Sequence, residues 1–96
     1  MLTERAELQI KPGSEDDFAA AMRERGIPLL KAVPGVKSAR FGRGVENPDK
    51  FILLVEWESM DAHRAFQNAA ANGELRQLIG PHARGAAMEH FEITPA

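Results

Sequence analysis

The sequence predicts an α+β fold: a four-stranded antiparallel sheet with helices on one face. Two alternating stretches, near Thr3–Lys11 and Arg84–Thr94, read as strands at the two ends of the chain. Between them, two segments with helical spacing each follow a strand pattern and a helix-start residue. The third observation is the run Phe51-Ile52-Leu53-Leu54-Val55, apolar without alternation, which marks a strand covered on both faces.

In the first strand Ala6, Leu8 and Ile10 point one way, and Arg5, Glu7 and Gln9 the other. Pro12-Gly13 ends it. Ser14 is placed to cap a helix, and Glu15, Asp16 and Asp17 favour the positive end of its dipole. Phe18, Ala21, Met22, Arg25, Leu29 and Ala32 recur at helical spacing. Gly26 and Pro28 interrupt that pattern and predict a kink, and Pro34-Gly35 closes the helix. Val36–Val45 reads as the second strand, with Ala39 and Phe41 opposite Ser38 and Arg40. Glu46-Asn47-Pro48-Asp49-Lys50 is turn chemistry, so the third strand, Phe51–Glu58, returns as a hairpin.

Ser59 caps the next helix, whose buried stripe is expected at Ala62, Ala65, Phe66 and Ala69. Asn72-Gly73 is expected to break it, leaving a short helix from Glu74 to Ile79 that Gly80-Pro81 stops. In the last strand Ala87, Phe91 and Ile93 alternate with Met88, His90 and Glu92. Strand–helix–strand, hairpin, strand–helix–strand is the split βαβ, or ferredoxin-like, arrangement, expected here as a single domain over residues 1–96. Its helices cover one sheet face, yet Ile52 and Leu54 make the other face of the third strand apolar too. A second copy packed sheet to sheet resolves this, with Arg5, Glu7, Arg40 and Glu56 satisfying one another between or at the rim of the sheets.

Composition excludes several functions. The net charge is −2 and the basic residues are scattered, which argues against nucleic-acid or anionic-lipid partners. No cysteine is present, so a disulfide, a thiol nucleophile and a thiolate metal site are out. No apolar run approaches the ~20 residues that span a bilayer, and the charged start Thr3-Glu4-Arg5 lacks a signal core. A cytoplasmic location is expected. The three histidines, His63, His82 and His90, show no metal-ligand spacing, so no metal or other cofactor is expected.

Val55-Glu56-Trp57-Glu58-Ser59, followed by a helix bearing Ala62-His63 and Phe66, resembles the antibiotic biosynthesis monooxygenase family, as does Pro34-Gly35-Val36 after the first helix. The resemblance implies a dimeric α/β barrel with a pocket between sheet and helices. It also implies a small apolar or aromatic ligand. Some such proteins oxidise polycyclic phenols or anthrones with molecular oxygen and neither metal nor flavin. Others degrade haem, a pattern this chain lacks: no asparagine lies between Met1 and Lys11, and Phe66 stands where a tryptophan belongs.

On that reading Phe18, Met22, Trp57, Phe66 and Leu78 line the cavity and bind substrate, and His63 is the catalytic group that moves a proton. No tyrosine is available for the role. Each residue also has a structural explanation: Trp57 as core, Met22 as gap-filler, His63 as a packed helix residue. Two other functions fit the same residues, a non-catalytic small-molecule binder and an acid–base isomerase.

Overall fold

A computed structural model describes residues 1–95. The chain runs β1 (Leu2–Ile10), α1 (Glu15–Ala21), a π-helical turn (Met22–Gly26), α2 (Ile27–Lys31), β2 (Val36–Arg43), β3 (Lys50–Trp57), α3 (Met60–Gln67), α4 (Ala70–Ile79) and β4 (Ala83–Glu92). The sheet order is β2-β3-β1-β4, with every neighbouring pair antiparallel. This is the ferredoxin-like α+β fold.

Period two sets the faces. Leu2, Ala6, Leu8 and Ile10 of β1 and Phe51, Leu53, Val55 and Trp57 of β3 are buried under the helices. Ala39 of β2 joins them, and Phe18, Met22, Leu30 and Val33 close the core from above. Phe18 meets Phe51 edge to face at a centroid distance of 5.0 Å.

The interrupted first helix does not break at Gly26-Pro28. Pro28 has no N–H to give the carbonyl one turn back, and the helix widens ahead of it. The Ile27 N–H reaches Met22 O, five residues away. The buried stripe consequently advances in steps of four, Phe18, Met22, Gly26 and Leu30, while Arg25 and Ala32 face water. Ser14 makes no side-chain cap. Its neighbour Glu15 instead accepts the Gly13 N–H at 2.8 Å. Ser59 does cap α3, accepting the Ala62 N–H at 3.1 Å.

Two expectations in the second half are corrected. Asn72-Gly73 lies inside α4, and the chain breaks earlier, at Asn68 and Ala69, where Ala69 is extended. The inward face of α3 is Ala62, His63 and Phe66, while Ala65 and Ala69 are exposed.

The open face of the sheet carries Ile52, 36% exposed, and Phe91, 40% exposed, beside charges paired along the strands. Arg5 lies 3.4 Å from Glu89, Lys50 lies 3.1 Å from Glu7, and the Ser38 hydroxyl donates to Glu56 at 2.6 Å.

The turn into β2 is a tight junction. Gly35 has φ +88°, and a Cβ built on it would lie 2.5 Å from the Ala62 Cβ at the start of α3. Gly13 has nearly the same φ, +89°, with open space around it. Gly13→Ala should therefore cost about 1–2 kcal/mol from backbone conformation alone, and Gly35→Ala a further ~1–3 kcal/mol from overpacking. Urea unfolding of both variants checks this, and equal losses would remove the steric part of the explanation.

Candidate functional site

The site begins with a charge on the wrong face. Glu4 belongs to the inward set of β1, with Leu2 and Ala6 as neighbours on that face, and is 7% exposed. The antiparallel register sets His90 of β4 directly opposite Glu4 and pairs Leu2 with Trp57 of β3. Helix α3, started by the Ser59 cap, brings His63 down onto the same spot, 4% exposed. Four side chains from β1, β3, α3 and β4 thus meet under the helices.

The Trp57 Nε1–H donates to Glu4 Oε1 at 2.9 Å. The same oxygen lies 3.4 Å from His63 Nε2 and 3.8 Å from His90 Nε2. The two imidazoles meet edge to face with centroids 4.2 Å apart, and Trp57 packs edge-on against His63 at 5.2 Å. Among the described residues, Nδ1 of His63 and Nε2 of His90 are buried without hydrogen-bond partners.

Burial pushes the Glu4 carboxyl above its ordinary range, opposed by the Trp57 hydrogen bond and by the positive charge available at His90. Burial also pushes His63 down, reinforced by charge on His90 and Arg64. Both shifts disfavour the charged forms, and in each case burial is the largest cause.

Glu4 and His63 open onto a cavity of about 410 Å³, within the size range of small-molecule sites. Ala6, Leu8, Leu53 and Met88 form its sheet wall, and Phe66, Leu75 and Ile79 its helix wall. Gln67, Asn72 and Arg76 add polar groups on the helical side.

The residues expected from sequence divide. His63 and Phe66 are on the cavity walls. Phe18, Met22 and Trp57 are not: each is at most 1% exposed and packed in the core. Trp57 stands behind the site, touching Phe66 at a centroid distance of 5.6 Å and holding Glu4. Leu78 is half-buried off the walls, and Leu75 and Ile79 take its place. This follows from α4 starting at Ala70, which turns Ala71, Leu75 and Ile79 towards the core.

Sequence reasoning missed Glu4 and set His90 aside. Extending the alternation of Ala6, Leu8 and Ile10 two residues back would have put Glu4 on the inward face. His90 left no such signal, because only the β1–β4 register brings it to Glu4.

The model of the antibiotic biosynthesis monooxygenase family matches residues 1–78. The chain belongs to this family. Glu4, Trp57 and His63 fall within the matched residues, and His90 lies beyond them. YczJ of Bacillus subtilis (strain 168), an uncharacterized protein, is 30% identical over 94 residues, covering 96% of this chain and 98% of its own. SchA of Streptomyces halstedii is 28% identical over 86 residues, 90% of this chain, which spans 22% of SchA. Among solved structures, a candidate antibiotic biosynthesis monooxygenase from Bordetella bronchiseptica superposes with a TM-score of 0.90 at 28% identity. That match covers 98% of this chain and 97% of the Bordetella chain.

The Trp57–Glu4 bond has a measurable signature. A hydrogen bond to a charged group is worth about 1.5–3 kcal/mol, so Trp57→Phe and Glu4→Met, each of which removes the bond, should not add in their effects on stability. A double-mutant cycle by urea unfolding should give a coupling above ~1 kcal/mol. Simple additivity would mean that the bond holds nothing in place.

Proposed function

We propose that the chain is a monooxygenase that uses molecular oxygen without metal or flavin on an acidic aromatic or quinone-like small molecule. The observation that carries this reading is a buried imidazole, His63, set in the wall of an apolar cavity with the Glu4 carboxyl 3.4 Å from its Nε2.

The ring lies between the sheet wall and Phe66, with Leu75 and Ile79 excluding water. His63 Nε2 takes a proton from an activated C–H, and Glu4 at 3.4 Å stabilises the imidazolium as it forms. The substrate carbanion gives one electron to oxygen. The resulting radical and superoxide join in a C–O bond, and the hydroperoxide takes back the proton from His63. Loss of water then leaves a carbonyl, so that a CH₂ group and O₂ become C=O and H₂O. Gln67, Asn72 and Arg76, polar groups on the cavity wall, hold the substrate's oxygen substituents in this proposal. Trp57 positions Glu4 and so acts on the reaction through it.

An acid–base isomerase remains the second reading, favoured by the same carboxylate–imidazole pair, which needs no oxygen to move a proton between two carbons. Oxygen uptake on adding anthrones and hydroquinones separates the two. Under the monooxygenase reading, His63→Ala lowers turnover by about 10²–10⁴-fold, the usual scale of general-base catalysis, with the fold unchanged. Unaltered turnover would withdraw His63 from the mechanism. Ligand binding with neither oxygen consumed nor substrate altered would make the protein a binder.

The working unit in this proposal is a homodimer joined through the open sheet faces. Ile52, Leu54 and Phe91 give those faces an apolar centre. A depression of about 210 Å³ on the same face is bordered by Ile52 and Gly42 together with the charged Arg5, Glu7, Arg43 and Lys50. Sedimentation should give twice the chain mass at micromolar concentration, and Leu54→Arg should yield folded monomers. A native chain sedimenting as a monomer under these conditions would end the dimer proposal.

A further inference from the structure

We propose that Glu4, His63 and His90 form a binding site for one divalent first-row transition ion. The chemistry of the donor set leads there: two imidazole nitrogens and one carboxylate oxygen, the combination that suits zinc, cobalt and iron(II). The three donor atoms lie within 4.8 Å of one another, with Glu4 Oε1 3.4 Å from His63 Nε2 and 3.8 Å from His90 Nε2. Bonds of ~2.1 Å to a common ion place neighbouring donors about 3.0–3.4 Å apart in octahedral or tetrahedral geometry. The cluster therefore closes on an ion by small side-chain movements.

A second observation concerns the hydrogen bonding of His90. Among the described residues, its Nε2 is buried with no hydrogen-bond partner, 3.8 Å from the carboxylate. Buried nitrogens are rarely left so, and an ion at the centre of the cluster satisfies it. The support around the donors is also present. The Trp57 N–H fixes the carboxylate at 2.9 Å, in the manner of the outer hydrogen bonds that orient metal ligands. Glu4 and His63 line the cavity, so an ion held there keeps positions open towards a small molecule. The donors come from β1, α3 and β4, which explains why no ligand spacing is visible along the chain.

The site goes beyond the monooxygenase reading and bears on it in one respect. An ion on His63 Nε2 takes the lone pair that proton removal uses. Loading of the site and oxygen-dependent turnover therefore exclude each other.

The test uses the full chain without an affinity tag, stripped with chelator and titrated with Zn²⁺ by calorimetry and with Co²⁺ by visible absorption. One equivalent per chain is expected, with Co²⁺ bands characteristic of nitrogen and oxygen ligation. His90→Gln and Glu4→Gln should each weaken binding by at least tenfold, on the order of the loss seen when support around a metal site is removed. His82→Gln, altering the histidine outside the cluster, should leave it unchanged. His90 sits on an edge strand, so His90→Gln carries the test even if Glu4→Gln fails to fold. No stoichiometric binding, or binding that survives His90→Gln, overturns the proposal. Because binding is read without substrate, it stands or falls separately from the oxygen-uptake result.

Discussion

A carboxylate buried on the core side of a central strand is the constraint around which this molecule is arranged. Removing an ionised group from water costs several kcal/mol even after the protein relaxes. Among the described residues Glu4 receives one side-chain hydrogen bond, from Trp57, which returns about 1.5–3 kcal/mol. That bond alone does not balance the loss, and an apolar residue of similar size would pack there without penalty. The upward shift of Glu4 and the downward shift of His63 express the same imbalance, since each group is discouraged from carrying charge. Strained ionisable groups of this kind concentrate where proteins do chemistry. The cavity beside them gives that inference a location.

The only tryptophan of the chain shows how fold and site share parts. Trp57 ends β3, and two residues later Ser59 starts α3. Its ring fills the core between Phe66 and His63, while its N–H reaches across the sheet to β1. The strand-to-helix junction therefore sets three things together: where α3 begins, how His63 is aimed, and where the Glu4 carboxylate lies. A large aromatic at a strand end can be core and functional support at once, and here the packing is what transmits the support.

The fold was legible because its signals are local. Alternation located β1 and β4, Pro34-Gly35 and the Glu46–Lys50 turn bounded β2, and Ser59 announced α3. Where local signals competed, the reading slipped. Asn72-Gly73 looks like a break, yet it sits in α4 because Asn68 and Ala69 had already ended α3. The Asn72 side chain instead donates to the Gln67 carbonyl at 3.1 Å, covering that helix end. Starting α4 four residues earlier than expected rotates its inward face, which exchanges Leu78 for Leu75 and Ile79 on the cavity wall. The site was half legible for a different reason. His63 and Phe66 share one helix, so their spacing speaks for them. Glu4 and His90 meet only through strand pairing across 86 residues of chain, and register is a tertiary fact.

The cavity lies where the helical layer meets the edge of the sheet. On the β2 and β3 side the long first helix covers the sheet closely, and Ala39, Phe51 and Val55 are 3% exposed or less. Strand β4 is the last to be added, and its inward residue Met88 remains 48% exposed. Helices α3 and α4 are short and joined by an extended Ala69, so they bridge this region without filling it. A gap under two short helices would lower stability if it were closed and empty, but here it is open on one side and walled by Ala6, Leu8, Phe66 and Leu75. Its ionisable groups are Glu4 and His63, side by side, with Arg76 on the helical wall. The β1–β4 pairing that leaves this edge thinly covered is also the pairing that brings His90 to Glu4, so the room for a ligand and the groups that would act on it have a common origin.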